Sequence, residues 1–116
     1  MSGASPTITV EDFQKVDIRV GTIVACAPHR RARKPSYRLE IDFGPELGRK
    51  VSSAQLTRYY TPETLIGRQV AAVVNFPPRQ IADVRSEVLV LGFPDELGEV
   101  VLIGPDRRVP DGGRLF

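Results

Sequence analysis

The sequence predicts a mainly β protein, one small closed barrel of five strands with short helices and extensions at both ends. Three observations point there. Short apolar or alternating stretches recur at even spacing, a glycine interrupts the first of them, and a single capped helical segment falls between the third and the fourth. The chain has 116 residues, the size of one domain, since domains commonly run to about 100–150 residues. Residues 1–8 read as a flexible N-terminus and residues 9–116 as the domain, with no linker and no internal repeat.

Thr9-Val10-Glu11-Asp12 has the form of a helix start. Thr9 is the N-cap and the two acids sit in the first turn, where the helix dipole favours negative charge. This helix is expected to end near Asp17. "DIRVGTIVACA" follows as a β-branched strand, with Gly21 as a bulge or bend. "SYRLEIDFG" alternates, so that Tyr37, Leu39, Ile41 and Phe43 share one face and Arg38, Glu40 and Asp42 the other. Pro45 and Gly48 mark a turn, and "KVSSAQL" reads as the third strand.

Thr61-Pro62-Glu63 supplies an N-cap, an N1 proline and a first-turn acid, with Gly67 as the stop. "RQVAAVVNF" is a nearly continuous apolar strand, "EVLVLGF" the fifth and "GEVVLIG" a sixth, before a Pro/Gly-rich tail. A helix between strands three and four is the layout of the OB-fold, a five-stranded Greek-key barrel, and favours it over an up-and-down sandwich.

Composition narrows the function classes. At 41% apolar and 26% charged the chain is ordinary for a soluble protein, and no apolar run approaches the ~20 residues that cross a bilayer. The N-terminus lacks the basic and apolar regions of a signal peptide, so a cytoplasmic protein is expected. One cysteine, Cys26, excludes an internal disulfide and a multi-cysteine zinc site. Cys26 reads as a small core thiol, and the one histidine, His29, as a solvated loop imidazole. Serine-histidine-aspartate chemistry needs such a histidine held against an orienting carboxylate, which the sequence pattern does not supply. No catalytic residue, metal ligand or cofactor is expected, and the chain reads as a binding protein, not an enzyme.

The net charge of +2 is unevenly spread. Arg30, Arg31, Arg33, Lys34 and Arg38 fall within Pro28–Arg38 with no acid among them, which leaves the rest of the chain net acidic. In an OB-fold, residues 28–36 join strands one and two, and residues 76–86 join strands four and five. Those are the two loops that flank the fold's binding face, and here both are basic. Arg30, Arg31, Arg33, Lys34, Arg79 and Arg85 are candidates for phosphate, because guanidinium donates in pairs and also stacks on bases. Tyr37 and Phe76 are candidate stacking platforms, while Gln55, Asn75 and Ser86 carry groups suited to base edges or 2′-hydroxyls. Asp83 and Glu87 lie in the second loop and must face away from any RNA. The chain ends carry Val10, Phe13, Val109, Leu115 and Phe116 beyond what five strands need, which points to a two-fold partner copy covering them.

Five blocks in order, "DIRVGTIV", "ARKPSYRLEIDFG", "VSSAQLTRYY", "GRQVAAVVNFPPRQIADVRSEVLVLG" and "PDRRVPDGGRLF", resemble the CsaA proteins across residues 11–116. These are small members of the tRNA-binding domain family, which is also appended to methionyl- and phenylalanyl-tRNA synthetases and to the endothelial monocyte-activating polypeptide. The resemblance implies an OB barrel assembled as a homodimer through the N-terminal helix and residues 105–116. It implies tRNA or another structured RNA as partner, bound without strong sequence preference. It also implies a secretion-related chaperone that takes unfolded or precursor polypeptides, for which an apolar groove near the dimer seam is expected. "ARKP" (Ala32 to Pro35), "NFPPRQI" (Asn75 to Ile81) and Ser86-Glu87 match the family's ligand-face blocks. The chain departs from the family where a glycine is usual at Ala82 or Asp83, and where tRNA-binding relatives tend to have Met at Val88 or Leu89. Arg30 and Arg31 add charge that many CsaA sequences lack.

Overall fold

The computed structural model describes residues 3–116; Met1 and Ser2, part of the segment expected to be flexible, lie outside the described residues. The strand nucleus is alternation. In β2 (Tyr37–Asp42) every second side chain is buried, and Leu39, Ile41 and the following Phe43 are almost wholly enclosed. Each such side chain contributes roughly 1.5–3 kcal/mol when buried. They meet Ile23 of β1 (Ile18–Pro28), Leu65 of the inter-strand helix and Val70 of β4 (Gln69–Val73) in one core.

The five-stranded antiparallel sheet runs β3-β2-β1-β4-β7, where β3 is Arg49–Ala54 and β7 is Leu89–Val90. It curls until its ends meet, giving a nearly closed OB-type barrel. The seam is made partly by side chains. The Glu87 amide donates to Val51 O at 2.8 Å while the Val51 amide donates to Glu87 Oε1 at 2.9 Å. The Ser53 amide donates to Ser86 Oγ beside them.

Both capped helices form as the sequence expects. α1 (Val10–Gln14) has a capping box in which Thr9 Oγ1 accepts from the Asp12 amide and Asp12 Oδ2 from the Thr9 amide. It stops at Gln14, three residues short of Asp17. α3 (Pro62–Leu65) carries the same device with Thr61 and Thr64, and Leu65 is its buried anchor. α2 (Gly44–Leu47) replaces the turn expected at Pro45 and Gly48, with Pro45 in its first turn.

Three other expectations are corrected. The bulge in β1 lies at Val24, because the register passes from Ile23↔Ile41 to Ala25↔Glu40. Gly21 has a different reason to be glycine: a Cβ there would stand 2.6 Å from Ile41 Cγ2 and 2.7 Å from the Phe43 ring. The fifth strand is broken at Leu91, whose amide donates to Ala71 O and whose carbonyl accepts from Ile103. Past that break β8 (Gly92–Pro94) turns into a separate hairpin with β9 (Val100–Leu102). Finally, residues 76–86 are not a plain loop. They contain a hairpin of β5 (Arg79–Ile81) and β6 (Val84–Ser86), turned at Ala82-Asp83, with Ala82 at φ +52°.

The C-terminal tail adds an outer ribbon to β1. Gly112 N donates to Val20 O, Val20 N to Gly113 O and Leu115 N to Ile18 O, at 2.8–3.1 Å. Gln69 clamps the approach to this strap, donating to Val109 O and accepting from Val109 N. Among the described residues no helix is long and apolar enough to cross a membrane.

Candidate nucleic-acid interface

The chain segment after β1 and the β5–β6 hairpin rise at the same end of the barrel and form one rim. The first is closed at its base by the His29 amide donating to Ser36 O at 2.9 Å. Between them lies a pocket of about 540 Å³ lined by Arg31, Arg33, Lys34 and Arg79, with Ser36, Ser53 and Gln55 on its floor. Arg30, Arg31, Arg33, Lys34, Arg79 and Arg85 are all exposed. Among the described residues none of these six has an acid within salt-bridge reach. The four cations that line the pocket, with no acid in its lining, form a strong site for a polyanion.

A second groove adjoins the pocket and shares Ser53, Gln55, Arg79 and Ile81 with it. Its remaining walls are largely apolar, with Phe76, Pro77, Val88 and Leu89. Phe76 and Leu89 are each half exposed, at 50% and 51%. The rim therefore joins a cationic half to an apolar half, the division a nucleotide presents between phosphate and base.

Three of the candidate ligand residues are spent elsewhere. Tyr37 is buried at 9% exposure and its hydroxyl donates to Tyr60 O at 2.8 Å, so its ring is core and no stacking platform. Ser86 is also buried, and its Oγ accepts from the Ser53 amide and donates to Val88 O. Asn75 is exposed but committed. Its Oδ1 accepts from the Asp17 amide and its Nδ2 donates to Lys15 O, so it anchors the end of α1 to β4. Gln55 and Phe76 remain at the surface with their side chains facing the grooves.

Neither acid of the second loop lines the cationic pocket, although Glu87 lines the adjoining groove and Asp83 feels the charge of Arg31. Glu87 closes the barrel seam on Val51. Asp83 accepts from His29 Nε2 at 2.9 Å. Burial works to raise the Asp83 pKa, but hydrogen bonds from its own amide and from His29, with the charges of His29 and Arg31, outweigh that and hold it below the usual carboxylate value.

His29 corrects the sequence reading most sharply. It is 5% exposed, not solvated, with Nδ1 2.7 Å from Ser53 Oγ and Nε2 2.9 Å from Asp83 Oδ1. The serine-histidine-aspartate chain that the sequence did not suggest is thus present as a chain of hydrogen bonds. A hydrolytic serine also needs amides free to hold an oxyanion, and the Ser53 amide is taken by Ser86 Oγ. Sequence spacing carried no signal for this cluster, since its members lie 24 and 54 residues apart. Cys26 is as expected, partly buried against the core. Burial, with a smaller contribution from the charge of Glu63, pushes its thiol up to about 11.

The five apolar end residues are all exposed: Val10 66%, Phe13 37%, Val109 39%, Leu115 43% and Phe116 109%. Val109, Leu115 and Phe116 line an apolar groove with Ile18, Val20 and Ile103, at the strap and away from the basic rim.

A family model described as a putative tRNA binding domain matches residues 18–114, so the chain belongs to the tRNA-binding-domain family. Within that family its likeness runs to the CsaA proteins. The crystal structure of the chaperone CsaA of Bacillus anthracis superimposes with a TM-score of 0.89 at 50% identity, covering 96% of this chain and all of that one. The CsaA chaperone of Picrophilus torridus gives 0.88 at 48% identity, over 95% of this chain and all of its own. The methionine–tRNA ligase of Methanosarcina mazei is 36% identical over 110 residues, which is 95% of this chain but 15% of the ligase.

Proposed function

We propose that this protein binds tRNA, or RNA of similar shape, through the phosphate backbone, using the basic rim and no catalytic step. The observation that carries the reading is the pocket where Arg31, Arg33 and Lys34 of one segment face Arg79 of the other, with no acid in its lining. Backbone charge recognition gives affinity that falls steeply with salt and depends little on sequence. Changing Arg31, Arg33 and Arg79 together to Ala is expected to lower the slope of log affinity against log salt by about 2 to 3. An unchanged slope in filter binding or fluorescence titration refutes the reading.

The strap groove suits a second copy of the chain. Its apolar lining is exposed, and two-fold pairing would set two rims on one particle and add avidity. Leu115→Glu should then shift the sedimentation coefficient from dimer to monomer, and a monomeric parent chain excludes this assembly.

A second reading, an export-related chaperone holding unfolded or precursor polypeptide, is favoured by the groove at Phe76, Pro77, Val88 and Leu89. With the strap groove assigned to the partner copy, this rim groove is where an extended apolar segment would lie. Binding of a carboxymethylated, permanently unfolded polypeptide should then persist at high salt with a negative heat-capacity change. Loss of binding at high salt would assign such an interaction to charge instead. The cytoplasm, where RNA and unexported precursors coexist, is the proposed setting.

A further inference from the structure

The two walls of the cationic pocket belong to separate chain segments, and the four like charges on them repel. Something must hold the walls together before a polyanion arrives. Among the described residues, one hydrogen bond joins the segment 29–36 directly to the hairpin 79–86, and it is His29 Nε2 to Asp83 Oδ1. The second ring nitrogen meets Ser53 Oγ on β3, the strand whose edge also carries Ser86 and Glu87 at the hairpin's foot.

The ring is therefore a three-way junction of the first segment, the hairpin and the barrel wall. An ionised Asp83 can only accept, so Nε2 carries a proton and donates to it, while Nδ1 lies 2.7 Å from the Ser53 hydroxyl. A buried imidazole with both nitrogens satisfied is fixed in orientation, and it fixes what it touches.

We propose that His29 and Asp83 are positioning residues for the anion site, a clasp that sets Arg31, Arg33 and Lys34 opposite Arg79 in the free protein. The inference rests on the reading of the rim as an RNA site and adds how that site is made ready. Ordering a segment on binding costs affinity, and a segment ordered beforehand spares that cost. Asp83 is then an acid that strengthens polyanion binding, against the sign of its charge.

That inversion makes the test sharp. Asp83→Ala and Asp83→Asn remove the same negative charge, but Asn keeps an oxygen that can accept from His29 Nε2. If Asp83 acts only through charge, the two variants bind tRNA alike, and both more tightly than the parent chain. If the clasp operates, Asp83→Ala binds about five-fold more weakly than Asp83→Asn, the equivalent of one hydrogen bond. The salt slope should be the same for both, because no phosphate contact is lost. His29→Phe, which fills the same space without either bond, should weaken binding as Asp83→Ala does. Glu96→Gln, an exposed acid on the far β8–β9 turn, calibrates the loss of one negative charge.

A second readout does not depend on RNA. Hydrogen exchange of the residue 29 and Ala32 amides, which donate to Ser36 O and to the carbonyl of residue 29, should be faster in Asp83→Ala and His29→Phe than in the parent chain and Asp83→Asn. If the parent chain does not bind tRNA, the reading of the rim as an RNA site fails and exchange alone judges the clasp. Equal exchange in Asp83→Ala and Asp83→Asn overturns it. If His29→Phe does not fold, the Asp83 pair still decides. Equal tRNA affinity in that pair also overturns the proposal.

Discussion

Two irregular segments embrace this barrel at opposite sides, and they are fastened by different means. The C-terminal strap lies along β1 through backbone bonds at Val20 and Ile18, with Gln69 gripping the Val109 backbone in both directions. The basic rim is fastened by side chains, with His29 bonded to Ser53 and Asp83, and Ser86 and Glu87 against β3. Backbone fastening depends mainly on the chain's ability to come close, which here demands glycine. Side-chain fastening depends on residue identity and on protonation. The strap, though its Asp111 carboxylate also accepts from Thr22 Oγ1 and Gln69 Nε2, should therefore be the more sensitive to added bulk, and the rim the more sensitive to acid.

The largest expected effect falls on the strap. Gly112 sits at φ +92°, and a Cβ there would stand 2.4 Å from Phe43 O. Strain and overlap together make Gly112→Ala cost about 2–3 kcal/mol in urea unfolding. RNA affinity of the folded fraction should not change. A variant as stable as the parent would show that the strap is not held as described.

A smaller effect of opposite sign is expected at the rim. Ala82 holds a left-handed backbone at the hairpin turn, a conformation that costs an L-residue about 1–2 kcal/mol relative to glycine. Ala82→Gly should thus stabilise the protein, by about 1 kcal/mol once the greater freedom of glycine in the unfolded chain is counted. A fall in the thermal midpoint would mean that the hairpin depends on the Ala82 methyl.

Acid gives the subtlest contrast. The Asp83 pKa is lowered in the folded protein, so its contribution to stability is present above the unfolded value near 4 and is lost as pH falls through the lower folded value. Protection of the His29 and Ala32 amides should therefore drop on going from pH 6 to pH 3, while that of the Gly112 and Leu115 amides, bonded to β1 carbonyls, persists. Parallel loss at both places would erase the distinction between the two fastenings.

What the sequence showed follows the same division. The β2 alternation, both threonine caps and the helix between β3 and β4 are local patterns, and each is found where it was expected. The cations of the rim were legible because an exposed arginine needs no partner to be placed. The bonds of Tyr37, Ser86, Asn75 and His29 were not legible because they reach residues 2 to 60 positions away, and all but one of them span more than 20. The β5–β6 hairpin was missed for a local reason. Its turn uses Ala82 where glycine is usual, so the stretch lacks a hairpin signature.

The seam at Glu87 bears on the hazards of folding. Until residues 86–90 dock, the outer edge of β3 presents the Val51 and Ser53 amides and the Val51 carbonyl as open pairing sites, a template for another chain. Glu87 covers two of those three groups by itself, once through its amide and once through its carboxylate. The residue that completes the barrel thereby also shields β3 from edge-to-edge aggregation.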